Sequence, residues 1–407
     1  MAKTPILIVG GGLTGATLAL ALARNGLPVT LIDALPARAR TSARFDGRSY
    51  ALALSSQRML QALELWTELA PKSAPILEVK AGDGRVGEGP APFLLHFDHA
   101  EIEEGPMGFM CEDRHLRTAL LKAVKGQDNI ETMGGVPVVS QQVDADGVTL
   151  TLSDGTELRG CLVVGCDGHG SRVAARAGIE RTGWRYGQLG LVCAIAHEKP
   201  HRGIAHQFFM PSGPLAILPL PGNRSSVVWT EAEDQATKIN ALPEMEYLTV
   251  LRPRFGDFLG KIRLTGDRFT YPLSLSLAYR FVSRRLVLVG DAAHGIHPIA
   301  GQGLNLGLRD VGALAQILVE ARRRGEDVAR DEVLARYERW RRFDVAVLAV
   351  ATDGFNRLFS NDNAFLRPMR DIGMGLVGSF PALRRRLIRQ AAGLTGDLPL
   401  LMQGRAL

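Results

Sequence analysis

Three glycines near the N-terminus leave this chain few folds to choose from. Gly10-x-Gly12-x-x-Gly15 follows the apolar run Ile6-Leu7-Ile8-Val9 and opens a stretch of helical spacing from Thr14 to Asn25, and Asp33 ends the next apolar run, Val29 to Ile32. Glycines at this spacing permit a tight strand-to-helix turn and close approach of backbone to a pyrophosphate, whose charge is favoured at a helix N-terminus. An acid about twenty residues on is placed for a ribose hydroxyl. The pattern predicts a dinucleotide-binding strand–helix–strand unit, with Leu13 and Thr14 inside the loop, and leaves NAD and FAD undistinguished. The uncharged run Thr4 to Ala23 imitates a signal peptide or a membrane span, but the glycines explain it as a buried strand and a packed helix face.

Further apolar runs at Leu162-Val163-Val164 and Leu286 to Val289 read as parallel strands covered on both faces. Between the runs, Ser55 to Leu69 and Asp113 to Val124 have helical spacing, which makes the chain α/β with a doubly wound, Rossmann-like first domain. From about Gly183 to Tyr271 the texture changes. Short β-rich segments at Ala205 to Phe209, Leu215 to Leu220 and Ser225 to Thr230 are separated by Pro211-Ser212-Gly213-Pro214 and Pro221-Gly222-Asn223, as in an inserted mixed or antiparallel sheet. The expected division is a discontinuous cofactor domain at 1–75, 111–182 and 276–330, a β-sheet substrate domain at 76–110 and 183–275, and a helical, basic region at 331–407. At 407 residues, 46% hydrophobic and 22% charged, the chain is an ordinary globular protein. Its formal charge of +6 comes with no nucleic-acid recognition motif. Cys111, Cys161, Cys166 and Cys193 form no CxxC pair and read as reduced core thiols of a cytoplasmic protein.

Gly290-Asp291 ends the Leu286 strand and leads into Ala292-Ala293-His294-Gly295-Ile296-His297-Pro298-Ile299-Ala300-Gly301-Gln302-Gly303-Leu304-Asn305. A carboxylate at a strand's C-terminal edge accepts hydrogen bonds from sugar hydroxyls, and N–H groups opening the helix after Gly303 favour negative charge. The segment resembles the second flavin fingerprint of the class A flavoprotein monooxygenases. That resemblance implies FAD as cofactor, with Gly290 and Asp291 at its ribitol and Pro298, Gly301, Gly303, Leu304 and Asn305 about the flavin. Cys166-Asp167-Gly168-His169-Gly170-Ser171-Arg172 is similar to the family's Asp-Gly motif, so Asp167 is expected near FAD pyrophosphate and the nicotinamide reductant. Arg48, in Asp46-Gly47-Arg48, matches a family arginine against flavin and phosphates, and Arg117 is a second candidate of that kind. His169-Gly170 occupies the variable part of its motif.

Gly203 to Phe209, Gly213 to Leu220, Ser225 to Thr230 and Thr352-Asp353-Gly354-Phe355-Asn356-Arg357-Leu358-Phe359-Ser360 resemble the ubiquinone-biosynthesis hydroxylases, and the likeness spans nearly the whole chain. It implies hydroxylation of the ring of a polyprenylated phenol with NAD(P)H as reductant and O2 as co-substrate, and other ubiquinone-biosynthesis proteins as partners. His297, Pro298 and Pro219 are the candidate flavin- and substrate-pocket residues. Phe208, Phe209, Leu218, Pro219, Leu220 and Trp229 either line a tail pocket or pack a core. No metal is expected, because His294 and His297 have no further converging ligands. Phe380, Leu383, Leu387 and Ala391 form one stripe of a basic amphipathic helix with Arg384, Arg385, Arg386 and Arg389, suited to a solvated surface or to peripheral membrane contact. A polyprenyl reductase, a hydroxylase of another aromatic, and a non-catalytic scaffold are the alternatives.

Overall fold

The computed structural model describes residues 4–36, 39, 44–87, 89–90, 95–296, 301–359 and 379–407. Among the described residues a largely parallel sheet of six strands runs in the order Val282–Ser283, Leu286–Leu288, Leu162–Gly165, Ile6–Val9, Val29–Asp33 and Ile130–Gly134. The Ile6–Val9 strand is buried throughout. It pairs in parallel with Val29–Asp33 on one side and Leu162–Gly165 on the other, so the winding reverses beside it. Helix α1 (Leu13–Arg24) follows, buried from Gly15 to Ala23 because both flanks are covered. The next helices are α2 (Leu54–Ala62), α3 (Trp66–Leu69), α4 (Asp113–Lys125) and α5 (Arg172–Arg176). The helical run expected across Ser55 to Leu69 is broken after Leu63, where Glu64 takes a positive φ of 51°.

A second sheet is mixed, as expected of the insertion. Its order is His294–Gly295, Ile262–Ala278, Arg181–His197, Arg224–Ala232, Gly213–Leu220, Ile204–Met210, Glu78–Arg85 and Gly89–Pro90, with Leu95–Asp98 pairing onto Glu78–Arg85. Two of its strands, Arg181–His197 and Ile262–Ala278, are 17 residues long. Near Arg181 they lie beside the Gly290 turn, and further along they become the centre of this sheet. Helices α6 (Glu233–Ala241) and α7 (Glu244–Phe255) cover one face, over Leu191, Cys193, Phe208, Leu215, Ile217 and Trp229. The opposite face, with Ala194, Ala205, Leu218 and Leu220, packs on Leu54, Ile76, Met107, Met110 and Ile388.

Helix α8 (Gln302–Arg323) crosses behind the parallel sheet and α9 (Asp331–Phe359) spans both sheets. Tyr337 of α9 donates its hydroxyl to Leu288 O at 3.0 Å, and about four turns further along the same helix Asp353 accepts from the Tyr186 hydroxyl at 2.9 Å. The last helix, α10, begins at Pro381 and ends at Ala391. Its inward contacts come from Ile388 with Ala392 just beyond it, whereas Phe380, Leu383 and Ala391 of the anticipated stripe face outward.

Candidate active site

Three loops meet at the C-terminal edge of the parallel sheet because the register aligns Val9 with Gly165 and Gly165 with Leu288. Gly10 has φ +109°, and a Cβ there would lie 2.2 Å from the carbonyl oxygen of Cys166. A Cβ on Gly15 would lie 1.9 Å from Gly10 O, whereas one on Gly12 meets nothing within 4 Å. The first and third glycines therefore close the turn, and the second leaves its outer side open. Leu13 starts α1, and the Thr14 methyl is 3.3 Å from the place a Gly290 side chain would take, so the first fingerprint touches the second. Asp33 accepts from Gly11 N at 2.6 Å and Leu35 N at 2.7 Å, which fixes its carboxylate against the glycine turn.

Gly290 and Asp291 open a single 3-10 turn. Gly290 N donates to Asp310 Oδ2 at 2.9 Å, and the same oxygen receives His294 Nε2 at 2.6 Å. Arg341 Nε donates to Asp310 Oδ1 at 2.7 Å, and all three side chains are closed off from solvent. Gly301 caps α8 in the left-handed region at φ 64°, with Gly303 and Leu304 half-buried in its first turn. Neither α1 nor α8 carries a side-chain N-cap, which leaves both N-terminal donor sets free of a capping side chain. Asn305 is a clamp. It accepts from Ala53 N and Ser56 Oγ, each at 2.8 Å, and donates to Ala51 O at 2.8 Å and Gly301 O at 3.1 Å. Asp167 is likewise committed to its own loop, accepting from Ser171 Oγ, Arg172 N and Val173 N, so it holds the start of α5.

Arg48 and Arg117 converge on Asp113. Arg117 makes a forked pair with it at 2.8 and 3.1 Å, and Arg48 lies 3.5 Å from it while bonding Asp46 at 2.8 Å. The hydrogen bond to Asp46 raises the Arg48 pKa despite partial burial, and Asp113 adds to this, so Arg48 presents a fixed cation. Burial and the neighbouring Asp113 push the Tyr50 phenol up to about 12.

The fit to known proteins is specific. The FAD binding domain family matches residues 3–351. A ubiquinone hydroxylase, UbiL, of Rhodospirillum rubrum is 46% identical over 98% of this chain and 92% of its own length. The 3-demethoxyubiquinol 3-hydroxylase of Escherichia coli is 34% identical over 96% of this chain and 99% of its own. The chain belongs to the ubiquinone hydroxylases, FAD-dependent aromatic monooxygenases. A solved p-nitrophenol 4-monooxygenase from Pseudomonas putida shares the fold, with a TM-score of 0.81 at 21% identity over 97% of this chain and 99% of that one. In this monooxygenase the residues present suit FAD. Gly12 and the two uncapped helix starts offer backbone donors, and Asp33 and Asp291 stand at the ends of two strands on the same edge.

The monooxygenase departs from expectation at its pocket residues. Pro219 is buried in the Gly213–Leu220 strand, where strict alternation puts it with Leu215 and Ile217 toward α6 and α7 and away from the face holding Leu218 and Leu220. Trp229 and Phe208 belong to that same covered core, which is the packing alternative for those two residues. His297 and Pro298 lie outside the described residues. His294 is 1% exposed and held by Asp310, which removes it from contact with a substrate ring. Among the described residues no group of three metal-ligating side chains forms.

Asp310, Arg341 and Arg181 escaped the sequence reading. Asp310 had a signal, being an acid among Leu306, Leu308 and Val311 on the apolar side of α8. Arg341 stands in the basic cluster Arg339-Trp340-Arg341-Arg342, yet it shares the buried stripe of Tyr337, Val345, Ala349, Thr352 and Asn356. Burial works to raise the Asp310 carboxyl, but the charges and hydrogen bonds of His294 and Arg341 outweigh it and hold it at about 2. Asp291 is the reverse case, raised by the protein packed around it against the opposing pull of His294, His169 and Arg181, although the residue remains exposed to solvent.

Proposed function

We propose that this monooxygenase hydroxylates the aromatic ring of a polyprenylated phenol intermediate of ubiquinone biosynthesis. The observation that carries the reading is the convergence of Gly10, Gly15, Cys166, Thr14 and Gly290 at one sheet edge, in a chain 46% identical to a ubiquinone hydroxylase. In the overall reaction NAD(P)H and a proton supply two electrons, O2 gives one atom to a ring carbon, and the other leaves as water. Bound FAD supplies the redox chemistry. The protein's share is positioning. Backbone donors at α1 hold the pyrophosphate, Asp33 and Asp291 accept from sugar and ribitol hydroxyls, and Arg48 offers its guanidinium to phosphate or flavin oxygens. Asn305, Asp167, Asp310 and Arg117 act one step back, holding the loops that carry those groups. We assign residues 1–75, 111–182 and 276–330 to cofactor binding, and 76–110 with 183–275 to the substrate.

Peripheral membrane contact suits the same reading. Phe380 and Leu383 are 58% and 41% exposed, beside exposed Arg385 and Arg386, and no described helix is long and apolar enough to cross a membrane. Such a surface favours an anionic interface where a prenylated substrate resides.

The deciding experiment reduces the purified enzyme anaerobically with NADPH or NADH and then admits oxygen with a prenylated phenol present. A product heavier by one oxygen atom is expected. Oxygen consumed only to hydrogen peroxide, with the phenol returned intact, would sink the substrate assignment and leave the flavoenzyme standing.

A further inference from the structure

Arg181 is the first residue of the long strand Arg181–His197, yet its guanidinium is spent on the turn that carries Asp291. It donates to the Ala292 carbonyl, and Nη2 reaches Asp291 O at 3.3 Å. Nε donates to Ser276 Oγ at 2.8 Å and Nη2 also reaches Ser276 O at 3.3 Å. Every one of these acceptors is neutral, and among the described residues Arg181 makes no ion pair. The charged groups that feel it are Asp291 and Asp167, the acids of two separate fingerprints.

The turn is held from two directions. From α8, Asp310 takes the Gly290 N–H, and from the substrate sheet Arg181 takes the next two carbonyls, while Ala278 N takes the Ala293 carbonyl at 2.8 Å. A 3-10 turn leaves its last carbonyls without partners, and a forked cation is suited to collecting two of them. The same cation acts on the Asp291 carboxylate, favouring its charged form.

We propose that Arg181 is a positioning residue for FAD binding, holding the Gly290–Ala292 turn in place and supplying the positive charge that faces the Asp291 carboxylate. This rests on the reading of Asp291 as a residue that binds FAD. The titratable and charged groups that face Asp291 are His294 on its own loop, His169 from the Asp-Gly loop, Asp310 from α8 and Arg181 itself. His169 is packed so closely on Gly295 that a Cβ there would lie 2.7 Å from its Nδ1, and its Nε2 lies 3.2 Å from Ser274 Oγ. Of these four groups Arg181 is the guanidinium, whose positive charge persists across the pH range of the test.

The test is FAD affinity as a function of pH, read by flavin fluorescence on stripped enzyme titrated back with FAD. Wild type, Arg181→Met, Arg181→Lys, Asp291→Asn and the Arg181→Met/Asp291→Asn double variant are compared. Arg181→Met should weaken FAD at neutral pH by about tenfold or more and move the acid side of the affinity profile to higher pH, since Asp291 then takes up a proton more readily. Arg181→Lys should restore the profile's position with only part of the affinity, because it keeps the charge and loses the fork. In the Asp291→Asn background the methionine substitution should cost only about threefold or less. An equal loss at every pH, repeated by the same factor in the Asp291→Asn background, would overturn the proposal and reduce Arg181 to packing. If Arg181→Met does not fold, a lysine variant with an unshifted profile supports the proposal and one with a profile shifted upward overturns it. An Asp291→Asn enzyme that binds FAD as wild type does at every pH would instead overturn the reading of Asp291 itself.

Discussion

At the scale of single residues, atoms that are missing decide as much as atoms that are present. Gly12 has φ −67° and open space beyond it, so Gly12→Ala is compatible with the fold, while its methyl would stand where the backbone must approach the cofactor. We predict a soluble apoprotein with a melting temperature close to wild type and FAD affinity lowered by at least about tenfold, measured by thermal unfolding and flavin titration. Gly15→Ala should differ, since its Cβ meets Gly10 O at 1.9 Å, and a loss of about 1–3 kcal/mol of folding stability is expected in urea. Asp310→Asn would leave Arg341 buried without its full counter-charge, at a cost of about 3–5 kcal/mol. The sign with pH follows from the depressed Asp310 carboxyl. Its contribution is complete above the unfolded value of about 3.9 and is lost as pH falls through about 2, so the gap between wild type and Asp310→Asn should close over that window. A gap that is the same at pH 2 and pH 7 would refute the assignment.

At the scale of elements, the long helices and long strands link the two sheets. Asn305 joins α8 to the junction of the Ser49–Ala53 strand with α2 through three hydrogen bonds and makes a fourth to Gly301 at the start of its own helix, so Asn305→Ala orphans several buried partners. A loss of about 2–4 kcal/mol in urea unfolding and weaker FAD retention are expected. The Ile6–Val9 strand and α1 were legible because their burial on all sides demands unbroken apolar runs. Arg181–His197 was not legible as a single strand. It contains Gly183 and Gly187 at positive φ and shifts register between Arg185 and Leu189, so local propensity argues against the pairing that its neighbours impose. The same limit hid the orientation of Pro219. Alternation within a strand was visible, but which of the two faces α6 and α7 would cover was not.

At the scale of the whole molecule, the two sheets share a junction and present outward surface elsewhere. α9 shows Phe343, Val347 and Val350 at 73%, 52% and 74% exposure, while α10 shows Phe380 and Leu383. Removing everything from Pro381 onward is a poor probe of membrane contact, because Ile388, Leu394, Leu401 and Met402 are built into the cores. The outward residues are better. Co-sedimentation with vesicles containing anionic lipid should fall several-fold in a Phe380→Ser/Leu383→Ser/Arg385→Glu/Arg386→Glu enzyme that keeps its flavin spectrum, and unchanged binding would reject this face. By itself the sequence determined the α/β class, the place of the strand-to-helix turns and the family, because positive φ and closely approached backbone admit few residue types and so leave glycines at fixed spacing. Only the tertiary structure decided that Arg341 and Asp310 pair inside the core, that Asn305 and Asp167 hold loops, and that Arg181 reaches the Asp291 turn. Charged side chains look alike along a chain, and their roles are set by distant segments that packing brings within hydrogen-bond reach.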